Sequence, residues 1–251
     1  MSEPVRLAMW SGPRNISTAM MRSFEARGDC AVTDEPFYGA YLVGSGIDHP
    51  LREESLATMP TDWRVVAESV VGPVPGGRPI WYQKHMPHHM LPGFGLAWVA
   101  QCRNAFLIRD PLAVLASYTR TRPGVALEDL GFVQQWELFE AEAERLGHAP
   151  PVIDAADVLA DPRGTLSALC RALDIPFTEK MLSWPAGRRA TDGVWGRVWY
   201  GSVERSTGFA APPSAPLPPL DEAFKALADT GQIYYERLAR YRLGARARAG
   251  A

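Results

Sequence analysis

Two stretches of the chain place anion-binding residue types directly after apolar runs. The first, Leu7-Ala-Met-Trp-Ser-Gly-Pro-Arg-Asn-Ile-Ser-Thr18, leaves an apolar run through a Gly-Pro turn and enters a segment with helical spacing. The pattern predicts a buried strand, a tight turn and a helix. The first N–H groups of such a helix have no partner within it and its dipole is positive there, so phosphate or sulfate suits the turn. In this reading Gly12 lets the backbone approach the anion, Pro13 stiffens the turn, Arg14 adds charge, and the Ser17 and Thr18 hydroxyls donate to its oxygens. The alternative is a well-capped α/β start with no ligand. The second stretch, Ile108-Arg-Asp-Pro-Leu-Ala-Val-Leu-Ala-Ser-Tyr118, places Arg109 at a strand end, with Asp110 as helix cap and Pro111 at the first helical position. Arg109 and Ser117 could converge on a second anion; equally, Arg109 could be held in an ion pair by an acid such as Asp34.

Groups able to move a proton lie on two further strand ends. Cys30-Ala-Val-Thr-Asp-Glu-Pro36 delivers Asp34 and Glu35, and Arg78-Pro-Ile-Trp-Tyr-Gln-Lys-His-Met-Pro87 delivers Lys84 and His85. In an open parallel sheet, ligands bind beyond the carboxyl ends of the strands, so Asp34, Glu35, Phe37 and Tyr38 are candidates to meet a substrate. Bracing of the loop is the other reading of the acid pair. His85 is the expected general base, with His88 and His89 solvated. A metal held by His85, His88 and His89 is not expected, because Pro87 interrupts the spacing and no acid or cysteine adjoins it.

These groups need a scaffold that alternates strand and helix. A helix from Thr61 or Asp62 to Val71, a long one from Leu127 to Leu146, a strand at Pro151-Val-Ile-Asp154, a helix from Asp161 to Asp174 and a short helix between Phe177 and Trp184 complete the expectation. That rhythm predicts an α/β fold: three αβα layers around a central parallel sheet, in one domain spanning residues 1–251. Residues 37–60 are expected to form a loop or lid, and 186–209, rich in Arg, Trp, Tyr and Gly, a loop covering a nucleotide. The Pro-rich stretch 211–219 reads as an extended linker, Asp221 to Tyr241 as a last helix and residues 243–251 as a mobile tail. A net charge of −2 over 251 residues argues against a nucleic-acid partner. No apolar run is long enough to cross a membrane and no signal peptide is evident, so a cytoplasmic protein acting on a small molecule is expected. The three cysteines have no metal-like spacing, and Cys170 reads as core filler.

The turn after Gly12 departs from a Walker loop, since Ser17 and Thr18 stand where its second glycine and lysine would be, so a nucleoside triphosphate fits poorly. Taken together, the stretches resemble the sulfotransferases that use 3′-phosphoadenosine 5′-phosphosulfate (PAPS). Ser11-Gly-Pro-Arg-Asn-Ile-Ser-Thr18 is similar to their 5′-phosphosulfate loop, and Ile108 to Tyr118 to their 3′-phosphate motif. Gln83-Lys-His-Met-Pro87 is similar to their Lys-Thr-His-x-Pro strand end, and Ala156 to Leu166 with Pro176-Phe177 to a later segment of bacterial members.

The resemblance implies the P-loop nucleoside-triphosphate-hydrolase-like fold, PAPS as co-substrate, 3′,5′-ADP as product and no metal. It implies donor contacts from Gly12 through Thr18 (Asn15 and Ile16 included), Arg109 and Ser117, with His85 as base and Arg14 and Lys84 assisting transfer. Gln83 replaces a family lysine, and Arg197 with Ser206-Thr-Gly-Phe209 stands in for an Arg-Lys-Gly segment, making Arg197, Ser206, Thr207 and Gly208 donor contacts. The expected reaction is in-line sulfuryl transfer to a hydroxyl or amine of a small molecule. The alternatives are a P-loop small-molecule kinase, which the missing Walker lysine opposes, and a nucleotide-binding module without chemistry.

Overall fold

The protein is described by a computed structural model covering residues 3–120, 124–211 and 221–244. Five strands, β1 (Val5–Ser11), β2 (Cys30–Asp34), β3 (Ile80–His85), β4 (Arg103–Ile108) and β5 (Val152–Asp154), form one parallel sheet in the order β2-β3-β1-β4-β5. The chain places β2 and β3 on one side of β1 and then crosses to lay β4 and β5 on the other, so the carboxyl end of β1 is the switch point where such sheets open a crevice.

Twelve helices flank the sheet or close its carboxyl edge: α1 (Ser17–Glu25), α2 (Tyr38–Ser45), α3 (Arg52–Thr58), α4 (Trp63–Val71), α5 (Pro111–Tyr118), α6 (Leu127–Leu130), α7 (Phe132–Leu146), α8 (Ala155–Ala160), α9 (Pro162–Ala172), α10 (Gly196–Trp199), α11 (Gly201–Glu204) and α12 (Glu222–Ala239), counting described residues only. Four of them start on an aspartate that accepts a backbone N–H: Asp62 from Arg64, Asp110 from Ala113, Asp154 from Ala156 and Asp161 from Gly164.

Both sheet faces are covered, which is why the strand residues are mostly buried. On one face Leu7, Met9 and Tyr82 pack with Met20, Met21 and Phe24 of α1 and with Leu166, Leu169 and Cys170 of α9. On the other Ala8, Trp10 and Phe106 pack with Val66 and Val70 of α4, Leu138 and Phe139 of α7 and Leu238 of α12. Cys170 is fully buried, with its thiol 3.8 Å from the Met181 sulfur, as a filler would be. No helix among the described residues is long and apolar enough to cross a membrane.

Several local expectations are corrected. Residues 37–60 are not a loop: they carry α2 and α3, because Tyr38, Tyr41 and Leu42 recur at helical spacing and bury against Trp195 and Tyr200. The helix expected from Leu127 to Leu146 is broken at Gly131, whose φ of 71° ends α6, and Leu146 at the far end is exposed. Between Phe177 and Trp184 only Glu179–Leu182 is helical, as a 3₁₀ turn, and the helix after Asp161 ends at Ala172. Stretch 186–209 is irregular over most of its length, as a loop would be, but Gly196–Trp199 and Gly201–Glu204 within it form the short helices α10 and α11. Most of the expected linker 211–219, and the tail from residue 245 on, lie outside the described residues.

Candidate active site

A cavity of about 520 Å³ opens at the carboxyl end of β1, and its two ends differ in charge. One end is the turn between β1 and α1. Arg14 and Ile16 adopt left-handed backbone conformations there, with φ of 58° and 49°, which is costly for side chains of this kind and typical of turns shaped for a ligand. The turn is pinned from below: Asn15 Nδ2 donates to the Leu107 carbonyl at 2.6 Å, and Gln135 Nε2 bonds the Trp10 and Leu107 carbonyls, each at 3.0 Å. Among the described residues no side chain caps α1, so its leading N–H groups remain available at the cavity, beside Ser17 and Thr18.

Arg109 reaches the same place from the end of β4, where its Nη1 donates to the Arg14 carbonyl. Arg14 Nε donates to Ser117 Oγ at 3.0 Å, so the hydroxyl expected beside Arg109 is bonded to Arg14, and both guanidiniums reach one cavity. Among the described residues neither guanidinium is in an ion pair, and Asp34, the partner once open to Arg109, is taken by Lys84. Burial lowers the pKa of both arginines, and each is also near another cation: Arg120 for Arg14, Arg14 for Arg109. Two partly desolvated cations thus stand beside the N-terminus of α1 with no carboxylate partner among the described residues.

The role expected of Gly12 is corrected. It does not face this cavity; a Cβ there would come within 2.7 Å of the Leu130 carbonyl, so the glycine is required by close packing against α6.

The other end carries acids. Glu35 follows β2 with a φ of 45°, held by its N–H to the Lys84 carbonyl at 3.0 Å. The residue lines the cavity, with its carboxylate Oε1 2.7 Å from Lys84 Nζ and Oε2 3.9 Å from His89 Nε2. Lys84 Nζ also donates to Asp34 Oδ1 at 2.9 Å and meets the Tyr200 hydroxyl at 2.6 Å. An ammonium has three N–H bonds, and these partners occupy all of them. Lys84 is therefore held in place and not poised toward a transferring group. Its pKa stands well above the usual lysine value: burial opposes the charge, but Asp34 and Glu35 outweigh it. Burial also raises the Glu35 carboxyl above the ordinary range, with Lys84 opposing. Asp34 does not line the cavity, being buried against Lys84, Tyr200 and the Gly193 N–H at 3.1 Å.

His85 is where sequence and structure part. Lys84 and His85 are neighbours on a strand and point to opposite faces. The His85 ring stacks on Trp10 at 4.8 Å between centroids, lies 4.9 Å from Trp98 and 5.9 Å from Phe37, and bonds Gln83 Oε1 at 3.0 Å. It does not border the cavity, and burial lowers its pKa to about 3. Phe37 shares this buried position, so neither residue meets a substrate in this arrangement. His88 and His89, expected in solvent, are buried and border the cavity instead, with the His88 pKa lowered to about 3 and the His89 value well below normal, burial leading in both.

Tyr38 lines the acid end, its hydroxyl 3.0 Å from His49 Nδ1. Ser206 and Gly208 border the cavity, but Thr207 does not, and Arg197 is turned outward to pair with Glu54. Sequence reasoning missed Tyr200, Trp195 and Met86 as wall residues; the aromatic content of 186–209 was the available signal for the first two.

A family model described as a sulfotransferase domain matches residues 5–239, and the chain belongs to that family. Branched-chain-amino-acid aminotransferase-like proteins 1 and 2 of Arabidopsis thaliana are similar to it, 38% identical over 216 residues and 36% over 208. These matches cover 86% and 82% of this chain but only 38% and 36% of the relatives, so the chain spans well under half the length of those proteins. Among solved structures, the sulfotransferase domain from the curacin biosynthetic pathway shares the fold, with a TM-score of 0.50 at 16% identity over 93% of this chain and 99% of that one. The fold is accordingly the P-loop-like α/β fold of sulfotransferases, and sulfuryl transfer is the activity of the class.

Proposed function

We propose that this protein moves the sulfuryl group of PAPS to a hydroxyl or amine of a small molecule, with Glu35 as the base that takes the acceptor's proton. The observation that carries this reading is the polarity of one cavity: unpaired Arg14 and Arg109 beside the α1 N-terminus at one end, and the Glu35 carboxylate at the other. A donor with phosphates at both its 5′ and 3′ positions fits two cations that have no carboxylate partners. Arg109 and Ser117 suit the 3′-phosphate, and Arg14, Ser17, Thr18 and the free N–H groups of α1 suit the 5′-phosphosulfate.

In the transfer, the acceptor oxygen or nitrogen forms its bond to sulfur as the bond from sulfur to the bridging phosphate oxygen breaks. The acceptor's proton passes to Glu35, and the leaving electron pair stays on 3′,5′-ADP. Charge that builds on the bridging oxygen meets the α1 N–H groups and Arg14. Glu35 suits its part because burial raises its proton affinity above that of an ordinary carboxylate, Lys84 holds Oε1, and the residue lines the cavity. The acid end has two carboxylates against one ammonium, which opposes acceptors bearing a carboxylate or phosphate.

Thermal unfolding with 3′,5′-ADP and with 5′-AMP tests the donor assignment. Greater stabilisation by 3′,5′-ADP supports it; equal stabilisation contradicts it. A screen of alcohols and amines with sulfur-labelled PAPS then identifies the acceptor.

A further inference from the structure

The segment that roofs the acid end of the cavity is fastened to the groups beneath it through one phenol. Tyr200, between α10 and α11, is buried and places its hydroxyl 2.6 Å from Lys84 Nζ, 2.9 and 2.8 Å from the two Asp34 oxygens and 3.4 Å from Glu35 Oε1. Trp195 Nε1 donates to the same oxygen at 3.1 Å. The oxygen thus accepts from Lys84 and Trp195 while its own proton goes to the acids, which uses its full hydrogen-bonding capacity. Upstream, the Gly193 N–H bonds Asp34 Oδ2 at 3.1 Å, and the fully buried Asp192 carboxylate accepts from Arg22 Nη2 at 2.6 Å. The same segment supplies Trp195, Trp199 and Val203 to the cavity wall.

We infer that Tyr200 is a positioning residue for the transfer reaction: its hydroxyl fixes Lys84 between Asp34 and Glu35, and so ties the acceptor-side wall to the orientation of the Glu35 carboxylate. The inference rests on the reading of Glu35 as base. Lys84 has three donors and three partners, so loss of the phenol frees one N–H to pull on the remaining carboxylates or to turn into the cavity. Either movement shifts the Glu35 carboxylate that Lys84 holds at Oε1. A misplacement of this kind costs turnover far more than it costs binding of a donor at the opposite end of the cavity.

The groups facing Glu35 are Lys84 from β3, Asp34 from β2, Tyr200 from the roof and His89 from the turn after β3. The phenol donates toward the acids, so removing it leaves Asp34 and Glu35 with less compensation and raises the proton affinity of Glu35.

The test compares the wild-type protein with Tyr200→Phe and Glu35→Gln, measuring kcat and donor KM for PAPS against an acceptor found by screening, from pH 5 to 9, together with 3′,5′-ADP binding by calorimetry. Tyr200→Phe keeps the ring and its packing. Expected are a kcat lower by about tenfold or more, a donor KM and a 3′,5′-ADP Kd within about twofold of wild type, and an acid limb moved to higher pH by about 0.5–1 unit, the size of one neutral hydrogen bond. An acid limb present in the wild type, lost in Glu35→Gln and unmoved in Tyr200→Phe overturns the inference alone, as does a fall in kcat that comes with loss of 3′,5′-ADP binding. No transfer by the wild type, or an acid limb that survives Glu35→Gln, overturns the reading of Glu35 and the inference with it.

Discussion

The Lys84 ammonium lies 2.7 Å from Glu35 Oε1 in a setting where both side chains are nearly sealed from solvent. That contact, with the bonds from Lys84 to Asp34 and Tyr200, makes the lysine the hub of the acid end and leaves it no donor for a ligand. Replacing it removes the cation and leaves two buried carboxylates facing each other.

Lys84→Met is therefore expected to destabilise the protein by about 3–5 kcal/mol, the range for stripping one partner from a buried ion pair. Urea unfolding measures it. The double variant Lys84→Met/Glu35→Gln should recover part of the loss, since it leaves one acid fewer without compensation. A change below about 1 kcal/mol in the single variant contradicts the hub.

Arg109→Ala is expected to remove most of the preference for 3′,5′-ADP over 5′-AMP. A charge-assisted contact to phosphate contributes about 1.5–3 kcal/mol, so the Kd for 3′,5′-ADP should rise by at least tenfold while that for 5′-AMP changes little. A parallel loss for both nucleotides would mean that Arg109 shapes the cradle through its bond to the Arg14 carbonyl and does not read the 3′-phosphate.

His85 packs among Trp10, Trp98 and Phe37 and bonds Gln83. His85→Ala is expected to destabilise the fold by about 2–4 kcal/mol through the cavity it leaves, read as a lower melting temperature, while the folded fraction turns over within a few-fold of wild type. Loss of turnover by 10²-fold or more at unchanged 3′,5′-ADP binding would restore His85 as the base.

Acid should weaken the fold. His85, His88 and His89 are held neutral by burial, with folded values near 3 or well depressed, against about 6.5 in the unfolded chain. Below about pH 6.5 the unfolded chain binds protons that the folded one refuses, so this stability is fully present above that pH and is lost as pH falls toward 3. Each histidine contributes a slope of up to about 1.4 kcal/mol per pH unit. Glu35, raised by burial, works with the opposite sign, since its contribution declines as pH rises from the ordinary carboxyl value through its own. One acid stands against three histidines, so urea midpoints should fall between pH 7.5 and 5.5. Midpoints that hold level or rise on acidification would contradict the neutral burial of these rings.

Local patterns carried much of this architecture. Each strand end and the caps Asp62, Asp110 and Asp161 are set by neighbours in sequence, so Arg14 and Arg109 could be placed at strand ends, while the choice between a second anion and an Asp34 ion pair for Arg109 rested on the family resemblance. Facing was harder. Alternation along β3 puts Lys84 and His85 on opposite faces, but which face meets the cavity depends on what packs there: Trp98, Phe37 and α4 fill the His85 side, and the roof from Gly193 to Glu204 shapes the other. The bond from Tyr200 to Asp34 joins residues 166 apart, and no spacing rule signals such a pairing. Gly12 was misread for a related reason, because the carbonyl of Leu130 that excludes a side chain there comes from a distant helix.

The most direct test of the account is the turnover of Glu35→Gln with labelled PAPS, set beside its affinity for 3′,5′-ADP. Gln keeps the size and a hydrogen-bond acceptor for Lys84 but cannot take up a proton at the acceptor. The account predicts a kcat reduced by about 10²–10⁴-fold, the usual range for removing a general base, with a 3′,5′-ADP Kd within about twofold of wild type. Wild-type turnover in Glu35→Gln would contradict it.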